Sequence, residues 1–131
     1  VPSASLKVLL VEDDEDNREL LAEFLRLEGH VVEAVGDAEA ALAAAACQPF
    51  DAMVADVGLP RMDGLQLARE LRRRMPGLAV VAVSGYGDVP ELADARGREV
   101  DAVVVKPADP ARLIACLVAA VRARRALGVP P

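Results

Sequence analysis

Two rhythms alternate along the chain: short runs of consecutive apolar residues, and longer stretches in which apolar residues return every three or four positions. The first suits strands buried on both faces, the second amphipathic helices, and their alternation predicts repeated βα units around a mostly parallel sheet. Lys7 to Val11 reads as the first strand. Asp14 to Glu28 reads as a helix whose Leu20, Leu21, Phe24 and Leu25 form one apolar face, with Gly29 as its C-terminal cap. Val31 to Ala34 is the second strand, and an Ala-rich helix follows Gly36-Asp37 as far as about Cys47, with Asp37 as N-cap.

Phe50 to Asp56 forms the third strand. The segment Val57 to Asp63, with Gly58 and Pro60 in it and Gly64 after it, is a loop before a helix over Leu65 to Arg74. Leu78 to Val83 is wholly aliphatic, which marks it as a central strand, and it stops at Ser84-Gly85. A fourth helix over about Val89 to Glu99 contains Pro90 and Gly97 and is the least stable of the five. Ala102 to Val105 is the fifth strand, ending at Lys106-Pro107. Asp109 as N-cap and Pro110 at the first helical position open the fifth helix. Leu113, Ile114, Leu117, Val118 and Val121 give it a buried face, and Arg122, Arg124 and Arg125 suit the negative end of its dipole.

Composition narrows the architecture. The chain has 131 residues, of which 53% are hydrophobic and only 2% aromatic, so one aliphatic core is built by close contact of helices on a sheet. Residues 7–125 read as that single α/β domain, 1–6 as linker and 126–131 as a flexible tail. A net charge of −6 argues against a phosphate-backbone footprint, so direct nucleic-acid binding is not expected of this domain. Cys47 and Cys116 lie in Ala-rich stretches and read as small buried packing residues in a reducing compartment. No apolar stretch approaches the roughly 20 residues of a membrane span. Neither a membrane contact nor a secretory signal is read, and a cytoplasmic location is expected.

The polar residues carry the functional signal through their position. The first strand ends in five acids, Glu12, Asp13, Asp14, Glu15 and Asp16; the third ends at Asp56, the fourth at Ser84 and the fifth at Lys106. In an open parallel sheet ligands bind outside the carboxyl ends of the strands, so these side chains can converge. Carboxylates, one hydroxyl and one lysine at a single sheet edge suit a divalent hard cation held through oxygen and a phosphoryl group. Asp14, Glu15 and Asp16 have a plainer role in the first turn of a helix, where acids complement the dipole.

On these residues the chain resembles the receiver domain of two-component response regulators, over about Lys7 to Arg125. The resemblance rests on four motifs in order: Glu12-Asp13, the run Asp56-Val57-Gly58-Leu59-Pro60-Arg61-Met62-Asp63-Gly64, Ser84-Gly85 and Lys106-Pro107. It implies a flavodoxin-like (βα)5 fold with five parallel strands in the order 2-1-3-4-5. It also implies that Asp56 takes a phosphoryl group from a phosphohistidine on a histidine kinase or histidine phosphotransfer domain. Mg2+ would be held by Asp13 directly, by Glu12 through water, by Asp56 and by the Gly58 backbone carbonyl. Lys106 would pair with Asp56 and then with a phosphoryl oxygen, and Ser84 would supply the switch hydroxyl. A cis peptide before Pro107 is implied, and a homodimer would form through the fourth and fifth helices. As an isolated domain it would catalyse only its own phosphorylation and dephosphorylation.

Departures from the family pattern concern activation. Val103 stands where many receivers carry Tyr or Phe, Gly85 where Ala is common, and Ala108 where Phe is common. Tyr86, two residues past Ser84, stands where the family tunes phosphoryl lifetime. The linker-like start and Lys106-Pro107-Ala108-Asp109-Pro110 resemble receivers at the C-terminus of hybrid sensor histidine kinases. Three other readings fit the pattern less well. A metal-dependent phosphohydrolase with an aspartyl-phosphate intermediate places a general acid two residues after the nucleophile, where this chain has Gly58. A degenerate receiver acting only as a protein-binding module would not need the full set of site residues. A nucleotide or flavin binder lacks its glycine-rich motif here.

Overall fold

Aliphatic runs and amphipathic stretches fold into five strands and four helices in the computed structural model, which describes residues 5–58, 64–85, 100–106 and 109–127. In chain order these are β1 (Lys7–Val11), α1 (Glu15–Leu27), β2 (Val31–Val35), α2 (Ala38–Cys47), β3 (Ala52–Asp56), α3 (Gly64–Arg74), β4 (Ala79–Ser84), β5 (Ala102–Val105) and α4 (Pro110–Ala126). The strands pair in parallel in the order β2-β1-β3-β4-β5, the order implied above. The helix expected over Val89 to Glu99 lies outside the described residues, as do Tyr86, Pro107, Ala108, the loop residues 59–63 and the tail 128–131.

Period-2 alternation divides the sheet's side chains between two cores. Val8, Leu10, Val54, Val81 and Val104 point to one face, where Leu25 of α1 and Leu113 and Leu117 of α4 cover them. Leu9, Val11, Met53, Val80 and Ala82 point to the other, under Ala41 of α2 and Leu67 and Leu71 of α3. β3 and β4 are buried throughout, as their uninterrupted apolar sequences require of central strands. The small residues of α2, with Ala38 and Ala41 fully buried, bring its backbone close to the sheet. Val103, at the position noted for its missing aromatic ring, packs against the α2 and α3 side.

Several boundaries and faces differ from expectation. Asp14 is the N-cap of α1 and not its first residue: its carboxylate accepts from the Asn17 N–H at 3.0 Å. Leu20 does not belong to the buried face of α1; it is 61% exposed, because the helix buries its stripe through Ala22 and Leu25. Cys47 is likewise exposed and not a packing residue, since it ends α2 on the side away from the core, whereas Cys116 is half-buried. β4 runs one residue further than read, so Ser84 is its last residue. The caps at Asp37 and Asp109 form as expected, accepting from the Ala40 N–H at 2.7 Å and the Ala111 N–H at 3.1 Å.

The amino ends of the strands are tied by charge pairs that no sequence pattern announced. Asp101, just before β5, accepts from the Val80 N–H at 2.8 Å and from Arg72 of α3 at 2.5 Å, with Arg124 of α4 at 3.5 Å. Asp51 accepts from the Lys7 N–H at 2.7 Å and from Arg125 at 3.3 Å. His30 is buried with Nδ1 accepting from the Leu6 N–H at 3.1 Å. Among the described residues no helix is long and apolar enough to cross a membrane.

Candidate functional site

Strand register assembles the site at the opposite, carboxyl end of the sheet. Val11 lies beside Ala55, so Glu12 follows β1 next to Asp56 at the end of β3. Asp56 lies beside Val83, one residue before Ser84, and Ser84 lies beside Val105, one residue before Lys106. The Lys106 N–H donates to the Ser84 carbonyl at 2.8 Å and extends this ladder past β5. Residues that share no local sequence thus meet because each strand stops at the same height.

Three carboxylates come together there. Glu12, Asp13 and Asp56 each offer an oxygen, and these oxygens all lie within 4.8 Å of one another; Glu12 and Asp56 are buried and Asp13 is exposed. The Lys106 ammonium donates to Asp56 Oδ2 at 2.6 Å and stands 3.7 Å from Glu12 Oε1. The Gly58 N–H donates to Asp56 Oδ1 at 2.9 Å. A cleft of about 500 Å³ opens over these groups, lined by Asp13, Asp56, Val57, Gly58, Ser84, Gly85 and Lys106.

Gly64 makes room for Asp56. The Gly64 N–H donates to the Val57 carbonyl at 3.1 Å, which closes the loop back onto the end of β3. A Cβ at this position would stand 3.0 Å from the Asp56 carbonyl carbon and nearer still to its oxygen. The glycine is required by close approach of two backbones.

Charge is unevenly matched. Burial, together with hydrogen bonds shared with Asp13 and Asp56, pushes the Glu12 carboxyl from 4.5 up to about 7. Asp56 shifts the other way: burial alone would raise it, but the Lys106 ammonium and the Gly58 N–H outweigh burial and hold it below 3.8. For Lys106, burial opposes the charged form and Asp56 outweighs it, so the ammonium is held above 10.5. One ammonium cannot neutralise three carboxylates, and the neighbouring acids add to burial in favouring the protonated form of Glu12. A hard divalent cation fits this donor set, since all three groups offer oxygen and a cation would take the place of that proton.

Each sequence-predicted site residue among those described lies at this edge: Glu12, Asp13, Asp56, Gly58, Ser84 and Lys106. Glu15 and Asp16 lie in the first turn of α1, as expected. Sequence reasoning missed Arg18, whose Nη1 donates to the Glu12 backbone carbonyl at 2.9 Å. It also missed the Asp14 N–H, which points to Glu12 Oε2 at 3.4 Å. The signal for Arg18 was faint: a lone cation two residues after a run of five acids.

Comparison with known proteins gives a consistent picture. A family model described as the response regulator receiver domain matches residues 8–118. The chain is 43% identical over 125 residues to the response regulator protein FleR of Pseudomonas aeruginosa, a match covering 95% of this chain and 25% of that one. It therefore spans only a quarter of that relative's length. Among solved structures, a sensor protein from Polaromonas sp. JS666 superposes with a TM-score of 0.80 at 34% identity, covering 90% of this chain and 97% of that one. A CheY-like receiver domain protein from Methanospirillum hungatei JF-1 gives a TM-score of 0.86 over 94% of this chain and 98% of that one; at 24% identity it speaks for the fold alone.

Proposed function

The chain belongs to the response regulator receiver domain family of two-component signalling, and on that premise we propose that Asp56 is its phosphoacceptor. The observation that carries the assignment is the pairing of the buried Asp56 carboxylate with Lys106 at 2.6 Å in a cleft that also holds two further acids. The Lys106 ammonium keeps Asp56 ionised, hence nucleophilic, at every physiological pH. An Asp56 oxygen attacks the phosphorus of a phosphohistidine; the P–N bond breaks, and the imidazole leaves with its electron pair and takes a proton from water.

Transfer adds negative charge to an already acidic cleft. Lys106 is the group on this chain that offsets it, moving from the carboxylate to a phosphoryl oxygen. Ser84, at the end of β4 in the same cleft, offers its hydroxyl to a second phosphoryl oxygen and makes the switch between states. Asp13, Asp56, Glu12 and the Gly58 carbonyl are the groups that would hold Mg2+, which when bound neutralises charge on the phosphoryl oxygens.

The donor is a histidine kinase or a histidine phosphotransfer domain, and the domain itself catalyses only its own phosphorylation and dephosphorylation. Likeness to FleR supports a response regulator as the whole protein; the hybrid sensor kinase expected from the sequence is the alternative placement. The net charge of −6 supports the absence of direct nucleic-acid contact by this domain.

The test is incubation with a small phosphodonor and Mg2+, followed by intact mass. The chain is expected to gain one phosphoryl group and Asp56→Asn none. Equal gain in Asp56→Asn would remove the assignment of this residue, and no gain in either chain would favour a binding module without phosphoryl chemistry.

A further inference from the structure

Glu12 is clamped at both ends of its backbone. Its N–H donates to the Val35 carbonyl of β2 at 3.1 Å, as a continuation of the strand ladder. Its carbonyl accepts from Arg18 Nη1 at 2.9 Å, from a side chain that reaches back from α1. A peptide unit is planar, so fixing the Glu12 carbonyl also fixes the amide and the Cα of Asp13, the point from which its side chain departs. Asp13 is the exposed member of the acidic trio, the one that packing constrains least.

Space for this contact is provided from the other side. A Cβ on Gly36 would stand 3.0 Å from Arg18 Nη1, so a side chain there would press on the guanidinium. Arg18 thus lies between the turn after β2 and the turn after β1.

We propose that Arg18 is a positioning residue of the cation and phosphoryl site, acting through the Glu12 carbonyl to set the position of Asp13. The inference rests on the phosphoacceptor reading of that site. Electrostatics and positioning make opposite predictions here. A cation beside an acidic cleft repels a second cation, so if Arg18 acted through charge alone its removal would tighten Mg2+ binding. If it positions Asp13, its removal weakens Mg2+ binding by about tenfold, the lower end of what outer supports of metal ligands usually cost.

Calorimetric titration of the full chain with Mg2+, without phosphodonor, separates the two, with thermal melts to show that each variant is folded. Arg18→Met is expected to bind Mg2+ about tenfold more weakly, and Arg18→Lys to recover part of the loss by offering one donor. Gly36→Ala removes no group from the site but presses on the Arg18 guanidinium, and is expected to weaken binding by a smaller factor. Phosphorylation at saturating Mg2+ should stay within about twofold in all three, with the loss confined to the Mg2+ concentration for half-maximal rate. Unchanged or tighter Mg2+ binding in Arg18→Met overturns the proposal. If Arg18→Met does not fold, unchanged binding in Gly36→Ala does so. A wild-type chain that gains phosphate while Arg18→Met titrates identically removes the role of Arg18 alone; a wild-type chain that binds no Mg2+ removes this proposal, and one that also gains no phosphate removes the reading beneath it.

Discussion

The two ends of the sheet solve opposite problems with the same residue types. At the amino end Asp101 meets Arg72, Arg124 and a backbone N–H, and Asp51 meets Arg125 and a backbone N–H, so each acid has at least as many donors as it needs. At the carboxyl end Glu12, Asp13 and Asp56 crowd around one ammonium, and burial together with hydrogen bonds to the two neighbouring acids raises Glu12 to about 7. Balanced charge holds elements together; crowded acids with a single ammonium form a set of oxygen donors that suits a hard cation. On the function proposed above, the same fold uses one end for stability and the other for chemistry.

One substitution type, applied at both ends, tests this contrast most severely. Asp101→Asn leaves two largely buried arginines without their carboxylate, and is expected to cost about 3 kcal/mol in denaturant unfolding while phosphorylation at 25 °C is retained. Asp56→Asn removes one of three crowded acids and is expected to leave Mg2+-free stability within about 1 kcal/mol, because relief of repulsion offsets the lost Lys106 pair. If both variants lost equal stability, the division of labour between the ends would be wrong.

Gly64→Ala is the next largest. The Cβ would press on the Asp56 backbone, with an expected cost of about 2 kcal/mol and slower phosphorylation, both readable on one preparation by denaturant melt and intact mass.

A pH series sharpens the contrast further. With a folded value near 7 against 4.5, Glu12 keeps a proton on folding that the unfolded chain loses. Its contribution to stability is complete below about 4.5 and is lost as pH rises to about 7. Asp56, held below 3.8, contributes in the opposite sense and loses its share only as pH falls through its folded value. Between pH 5 and 8 the Mg2+-free Tm should therefore fall more in the wild type than in Glu12→Gln, and saturating Mg2+ should narrow the gap. The smallest effect is expected at Leu20→Ala, within about 0.5 kcal/mol by the same melts, since that side chain is 61% exposed.

What the sequence made legible was whatever depends on strand order and strand ends. The alternation of apolar runs located β1 to β5, and the polar residue at each carboxyl end located the site, because a parallel sheet aligns those ends without further help. Less legible was anything set by which way a helix is rolled. Leu20 fits the apolar spacing of α1 and yet faces solvent, and Cys47 shares an Ala-rich stretch with buried residues but falls on its outer side. Charge pairs between distant elements were hidden for a related reason. Asp101 and Arg72 are 29 positions apart, and no local rule of spacing joins them. Arg18 belongs to the same class, since its partner is a backbone carbonyl, which carries no mark in sequence.

The two contacts of Asp51 have a consequence for how the domain can be used. One of its oxygens holds the first residue of β1 and the other holds Arg125 in the last turn of α4, so the start of β1 and the end of α4 lie side by side. Both are on the far side of the sheet from the Asp56 cleft. A neighbouring module joined at either end, or a pair of modules between which the domain is inserted, would leave the chemical face open. A circular permutant joining residues 127 and 5 through a short linker, reopened at another exposed turn, should keep its phosphorylation. The domain is wired like a cartridge, with both leads at the back and the contact face in front.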